Sequence, residues 1–278
     1  MKKKLLIIFG YLAFFLFSFL FSLYLTFDPR PIKNLAQNYL KNKGYQIEIG
    51  QISKYRLSGV RAQKIILAKE NSSGKLQIDQ LKARLSIIPL LAGNSRIKFQ
   101  ALLYGGKIEG RVEKSRKKIN STLKIKNIDL AKLSSVSSGG FQIKSRLSGQ
   151  SKLNLANLNN PRAWEGEIDF QLGAGEISTF EYQGMEIPGI KISQGRLALE
   201  IKQGRAEIKT LELLSPDFPF QLQGEIELRV PLEKSLITLK GKLSPQEQYL
   251  EKFPLLTSLL SSDKTFSYKG TISGILNF

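Results

Sequence analysis

From Ile47 onward, the chain is dominated by alternation of apolar and polar side chains with a period of two. A strand sends successive side chains to opposite faces, so a chain with this pattern must build sheet with one apolar and one solvated face. Leu81, Ala83, Leu85 and Ile87 alternate with Lys82, Arg84 and Ser86; Ile97, Phe99, Ala101 and Leu103 alternate with Lys98, Gln100 and Leu102. Gly105-Gly106 then turns the chain into Lys107–Val112, which predicts a hairpin. Further runs lie at Phe141–Leu155, Trp164–Leu172, Leu197–Ile201, Phe218–Val230 and Ile237–Leu243, and Phe266, Tyr268, Ile272, Leu276 and Phe278 close the chain. A turn is expected at Gln203-Gly204 and a register change near Leu211. Several runs exceed the usual strand length of about 5–6 residues. The expected fold is therefore mainly β: an elongated, curved, mostly antiparallel, groove-like sheet in one body over residues 28–278.

The start of the chain has another character. Lys2, Lys3 and Lys4 precede an uncharged stretch over 5–27 that includes Leu5, Phe9, Phe14, Phe19, Leu23 and Phe27. As a helix it would reach about 34 Å, enough for a hydrocarbon core of about 30 Å. A cleaved signal peptide is the rival reading, but its apolar region usually spans only about 7–15 residues before an Ala-x-Ala-like site. This stretch is longer and ends in Leu23-Tyr24-Leu25-Thr26-Phe27-Asp28-Pro29. The expectation is an uncleaved transmembrane helix in contact with membrane lipid. The lysines place residues 1–4 in the cytoplasm and the rest across the membrane. In a double-membrane bacterium the chain would be a single-pass inner-membrane protein with its main domain in the periplasm.

Between the span and the first strand, apolar residues at 32, 35, 36, 39 and 40 form one helical stripe. Pro31 suits the first turn, and Gly44 suits the C-terminal cap. This amphipathic helix either caps the start of the sheet or lies on the lipid surface. A second helical segment is expected near 246–261, kinked or split at Pro254. The Ser/Gly-rich stretch 134–140 reads as a flexible loop within one continuous sheet.

Cys and His are both absent. That excludes disulfides, thiolate nucleophiles, Cys-based zinc sites, a Ser-His-Asp triad and an H-E-x-x-H site. The carboxylate pairs Glu165/Glu167 and Glu225/Glu227 share the polar face of a strand at i, i+2 and read as solvated residues rather than a glycosidase pair. Gly139-Gly140 and Gly173-Ala174-Gly175 open no phosphate-binding helix and read as turns. No catalytic residue, cofactor or metal site is expected, and the chain is read as non-enzymatic. The net charge of +19 has three readings. Lys and Arg spread over alternate strand positions make a solvated face and protect sheet edges; they also suit an anionic phospholipid or an acidic partner. Nucleic acid is set aside, since no binding motif is present. The basic run Glu113–Lys118 reads as a solvated hairpin tip.

Residues 205–274 resemble the C-terminal half of the type II secretion system protein N (GspN) family. The resemblance is carried by Ser215-Pro216-Asp217, Gly224-Glu225-Ile226-Glu227-Leu228, Pro231-Leu232-Glu233-Lys234-Ser235, Lys242-Leu243-Ser244-Pro245, Pro254–Leu260 and Tyr268-Lys269-Gly270-Thr271-Ile272. It implies a non-enzymatic component of the secretion machinery, anchored in the inner membrane and docking other secretion-system subunits. Gly224, Pro231, Ser235, Pro254, Gly270 and Thr271 are its marker positions. The anchor, the short helix, Gly44-Tyr45-Gln46-Ile47 and Leu57-Ser58-Gly59-Val60 are similar to the start of AsmA-like proteins. That likeness implies an envelope protein binding or carrying phospholipid in an apolar β groove. An enzyme with a carboxylate site is the remaining, distant reading.

Overall fold

A computed structural model of the chain describes residues 28–69, 74–116, 118–133, 142–182, 185–252 and 265–272, together with positions 11, 14, 15, 18, 22, 25 and 26. The alternation of the sequence becomes a single 13-stranded sheet. Its strands are β1 (Tyr45–Tyr55), β2 (Gly59–Lys69), β3 (Lys75–Leu85), β4 (Ser95–Leu103), β5 (Gly106–Lys114), β6 (Ile119–Asp129), β8 (Arg146–Leu155), β9 (Trp164–Leu172), β14 (Gln194–Lys202), β15 (Arg205–Leu214), β16 (Phe220–Glu227), β17 (Leu236–Leu243) and β18 (Thr265–Thr271). They lie side by side in chain order, and every neighbouring pair is antiparallel.

Short turns make this order natural. Tyr104-Gly105 between β4 and β5 and Gln203-Gly204 between β14 and β15 both have positive φ at both positions. That backbone matches the right-handed twist of the flanking strands. Lys64, with φ 52°, puts Ala62 and Ile65 on the same face although they are three apart. A bulge between Ile208 and Leu211 does the same in β15, where a register change was expected.

The helix over Arg30–Lys41, α1, begins with Pro31 in its first turn and lies against β1, where the Gln37 side-chain amide donates to the Ile47 carbonyl at 3.3 Å. Of the two placements expected for it, the contacts are those of a cap on the sheet. It still turns Ile32, Leu35 and Tyr39 outward. α2 (Ile87–Leu91) fills the β3–β4 connection. α3 (Glu247–Lys252) is the described part of the segment expected at 246–261; Pro254 and the rest of that segment lie outside the described residues. So does the loop at 134–140.

The run Phe141–Leu155 is not one strand. It divides at Ser145 into β7 (Ile143–Lys144) and β8. β7 joins β10 (Gly175–Ile177) and β13 (Ile190–Ile192) in a small sheet, and β11 (Phe180–Tyr182) pairs with β12 (Met185–Ile187). This small sheet sits at one margin of the large one, where Ile143 packs against the cluster that holds Leu103, Ile128 and Leu130. The Ser145 hydroxyl ties it down by donating to the Gly173 carbonyl at 2.8 Å.

No helix among the described residues is long and apolar enough to cross a membrane. The span expected over 5–27, with Leu5, Phe9, Phe19, Leu23 and Phe27, lies mostly outside the described residues. Phe14 of that set is described: it is helical and 69 % exposed.

Candidate functional site: the apolar face of the sheet

Register places one row of residues on each face of the large sheet. Starting on β2, one row runs Ala62, Leu81, Ala101, Ile108, Ile125, Gly149, Phe170, Leu197, Leu211, Leu222 and Gly241. A neighbouring row runs Phe99, Gly110, Leu123, Ser151, Ile168, Leu199, Ile208, Gly224, Leu239 and Tyr268. This face is apolar from Ile47 in β1 to Tyr268 in β18. The opposite face carries Lys82, Gln100, Glu109, Lys124, Gln150 and Asp169 in a matching row.

Among the described residues no second layer covers most of the apolar face. Ile47, Leu76, Leu123, Leu153, Ile168, Leu199 and Leu211 are only half-buried, and no apolar side chain among the described residues falls below 2 % exposure. A β-sandwich of this size would bury that face against a second sheet. Burial is deepest in three clusters, around Leu103 and Ile128, around Trp164 and Ala206, and around Ile208 and Leu239. The last two form within the face itself, by neighbouring strands bringing their side chains together, whereas the first is completed by Leu130, Leu133 and Ile143 from the margin that holds the small sheet.

Two glycines on this face, Gly110 and Gly149, have a shared cause. A Cβ on Gly110 would lie 2.2 Å from the Phe99 ring, and one on Gly149 would lie 2.5 Å from the Phe170 ring. At these two positions an aromatic ring on one strand lies over the glycine of the next.

The polar face holds its charges in exposed pairs. Glu113 is gripped by Arg111 and Arg96, and Glu200 by Lys202 and Lys209. Glu109 pairs with Lys107 there, and on the small sheet Glu176 pairs with Lys144, both at 2.6 Å. The hydrogen-bonded cations hold all four carboxyls below the usual glutamate range, led by Lys107 for Glu109, Arg111 for Glu113, Lys144 for Glu176 and Lys202 for Glu200. Of the carboxylate pairs singled out in the sequence, Glu165 accepts from Asn154, Glu225 pairs with Arg205 and Glu227 with Arg229, all on this solvated side. No cluster of metal-ligating side chains occurs among the described residues.

The marker positions of the secretion-family resemblance come together on the last three strands of the sheet. Gly224 of β16 pairs with Leu239 of β17, on the apolar face; Gly270 pairs with Ile237 and Thr271 with Leu236. Pro231 opens the short 3-10 turn Leu232–Lys234, which delivers Ser235 to the start of β17. Ser235 is wholly buried: its hydroxyl oxygen accepts the Arg229 N–H at 3.0 Å, and its carbonyl accepts the Ile272 N–H at 3.0 Å. These residues close a corner of the sheet and form no reactive constellation. Pro254 lies outside the described residues.

The sequence reading missed one feature, the set of apolar side chains exposed at the sheet margin that holds the β1–β2 turn. Leu57, Ile88, Leu90, Leu158, Val230 and Leu232 all sit in connections of that margin. Alternation says nothing about turns, but an apolar residue inside a turn was a readable signal.

No family model, curated protein or solved structure matches the chain.

Proposed function

We propose that the chain is a non-enzymatic, membrane-anchored envelope protein whose large sheet curves into an open groove that takes lipid acyl chains on its apolar face. The anchor is the N-terminal apolar segment, with residues 1–4 cytoplasmic and the sheet in the periplasm of a double-membrane bacterium. The observation that carries this reading is an apolar face that no second layer among the described residues covers: thirteen strands present Leu, Ile, Phe and Gly in continuous rows, and most remain half-exposed. Leaving that much apolar area in water is unfavourable by roughly 25 cal/mol per Å². Acyl chains would cover it without needing hydrogen-bond partners. The exposed helical Tyr11, Phe14, Phe15 and Leu25 support the anchor in the same way.

The test is site-specific photo-crosslinking in membranes of the producing cell. A benzophenone side chain replacing the inward Leu199 should yield phospholipid adducts, while one replacing the outward Glu200 should not. Equal yields, or no lipid adduct at the inward position, would remove the proposal.

A second reading, a subunit of the type II secretion machinery, is favoured by the convergence of Gly224, Ser235, Gly270 and Thr271 on the last three strands of the sheet. A partner subunit would dock on that corner. Protein adducts from a benzophenone replacing Lys269, with secretion lost on deletion of the gene, would favour this reading.

A further inference from the structure

The positive charge of the chain is concentrated at one end of it. Residues 1–129 carry 25 Lys+Arg and 7 Asp+Glu, a net of +18, whereas residues 130–278 carry 17 and 16, a net of +1. The sheet follows chain order, so the charge gathers on its first strands.

On β1–β4 some of these cations are left without carboxylates. Register sets Arg61 beside Lys82 and Arg84 beside Lys98 on the polar face. Arg56, Arg61 and Lys82 surround one tyrosine, Tyr55, at 5.5, 5.6 and 5.8 Å from its ring centre. None of these five cations has a salt-bridge partner among the described residues. Mutual repulsion makes such a cluster costly in isolation, and a phosphate-bearing surface relieves it.

Two further observations identify the surface. The Lys54 ammonium donates to the Leu25 carbonyl at 2.9 Å, so the end of the apolar N-terminal segment meets β1 one residue from Tyr55. The turn after Tyr55 exposes Leu57 (54 %), and α2, at the same margin of the sheet, exposes Ile88 (83 %) and Leu90 (46 %). Apolar tips interleaved with unpaired cations, beside the end of a membrane span, have the composition of an interfacial contact.

We propose that this margin of β1–β4 rests on the bilayer: Leu57, Ile88 and Leu90 enter the headgroup region, and Arg56, Arg61, Lys82 and Arg84 engage anionic phospholipid. The inference rests on the N-terminal segment being a membrane anchor, and it goes further by fixing which margin of the sheet faces the membrane. The same margin continues to Leu158, Val230 and Leu232, but a twist of about 20–25° per strand turns those distant tips away from the bilayer plane. The contact is therefore confined to the first four strands.

The chain has no cysteine, so single cysteines can be placed and labelled with an environment-sensitive fluorophore. The full chain is reconstituted into vesicles of phosphatidylcholine mixed with phosphatidylglycerol, with labels at L57C, I88C, F14C and L214C. Leu214 is exposed at the opposite margin and is the control. Blue-shifted emission, quenched by spin-labelled lipid, is expected at 57 and 88 and not at 214. In the R56Q/R61Q/K82Q/R84Q background, or in phosphatidylcholine alone, the shift at 57 and 88 should be lost while that at 14 persists. Water-like emission at 57 and 88 with a lipid-like signal at 14 overturns this inference and leaves the anchor standing. A water-like signal at 14 overturns both. Equal shifts in phosphatidylcholine alone overturn the anionic commitment.

Discussion

Gly149 has φ +153°, and a Cβ there would come within 2.3 Å of the Asp169 carbonyl oxygen as well as 2.5 Å from the Phe170 ring. Backbone cannot yield as a flexible side chain can. Gly149→Val is therefore expected to destabilise the sheet by about 2 kcal/mol or more. At Gly173 the nearest atom to such a Cβ is the Arg146 carbonyl oxygen at 3.7 Å, so Gly173→Ala should change stability by no more than about 0.5 kcal/mol. Urea midpoints of the two variants check the contrast. The paired glutamates give a pH signature. Glu109, Glu113, Glu176 and Glu200 titrate lower folded than unfolded. Their contribution is present above the unfolded value of about 4.3 and is lost as pH falls through the lower folded values. The urea midpoint should hold steady near neutrality and fall below about pH 4, with a smaller fall in high salt because these pairs are exposed. A midpoint that rose on acidification would contradict the pairing.

At the scale of elements, period-two alternation made the large sheet legible. Trp164–Leu172 became β9 with the boundaries read from the sequence, and the turns at Gly105 and Gln203-Gly204 and the register change near Leu211 all occur. The small sheet was not legible, because strands of two or three residues are too short to show a period. Phe141–Leu155 read as one strand because nothing in its pattern marks the step at Ser145, where the chain leaves the small sheet for the large one. The candidate face was half legible. Alternation announces that an apolar face exists, but a sandwich and a single sheet share that signal, and only the register and exposure of the strands separate them. The separation has a mutational consequence. Leu199 is half-buried on the apolar face, so Leu199→Asp should cost about 1–2 kcal/mol and still fold. In a sandwich interior the same change would exceed about 4 kcal/mol. Far-UV circular dichroism and a urea midpoint distinguish the two.

The whole molecule carries two independent polarities. Across the sheet, apolar residues face one side and charges the other. Along the sheet, the net positive charge sits on the strands nearest the N-terminal segment. The first polarity follows from strand geometry and was visible in the sequence. The second is invisible in the net charge of the whole chain and appears only when the charge is resolved along the sequence. On the proposed reading, they would make a scaffold set on an anionic bilayer at one end, with an apolar track leading away from it. The account stands on that track being open. Spin labels at inward position 199 and outward position 200 of the reconstituted full chain test this through collision with oxygen, which partitions into apolar surroundings, and with a polar nickel chelate. An open track filled by acyl chains predicts high oxygen and low nickel accessibility at 199, and the reverse at 200. A label at 199 that neither reagent reaches would mean that protein covers the face, and would contradict the account.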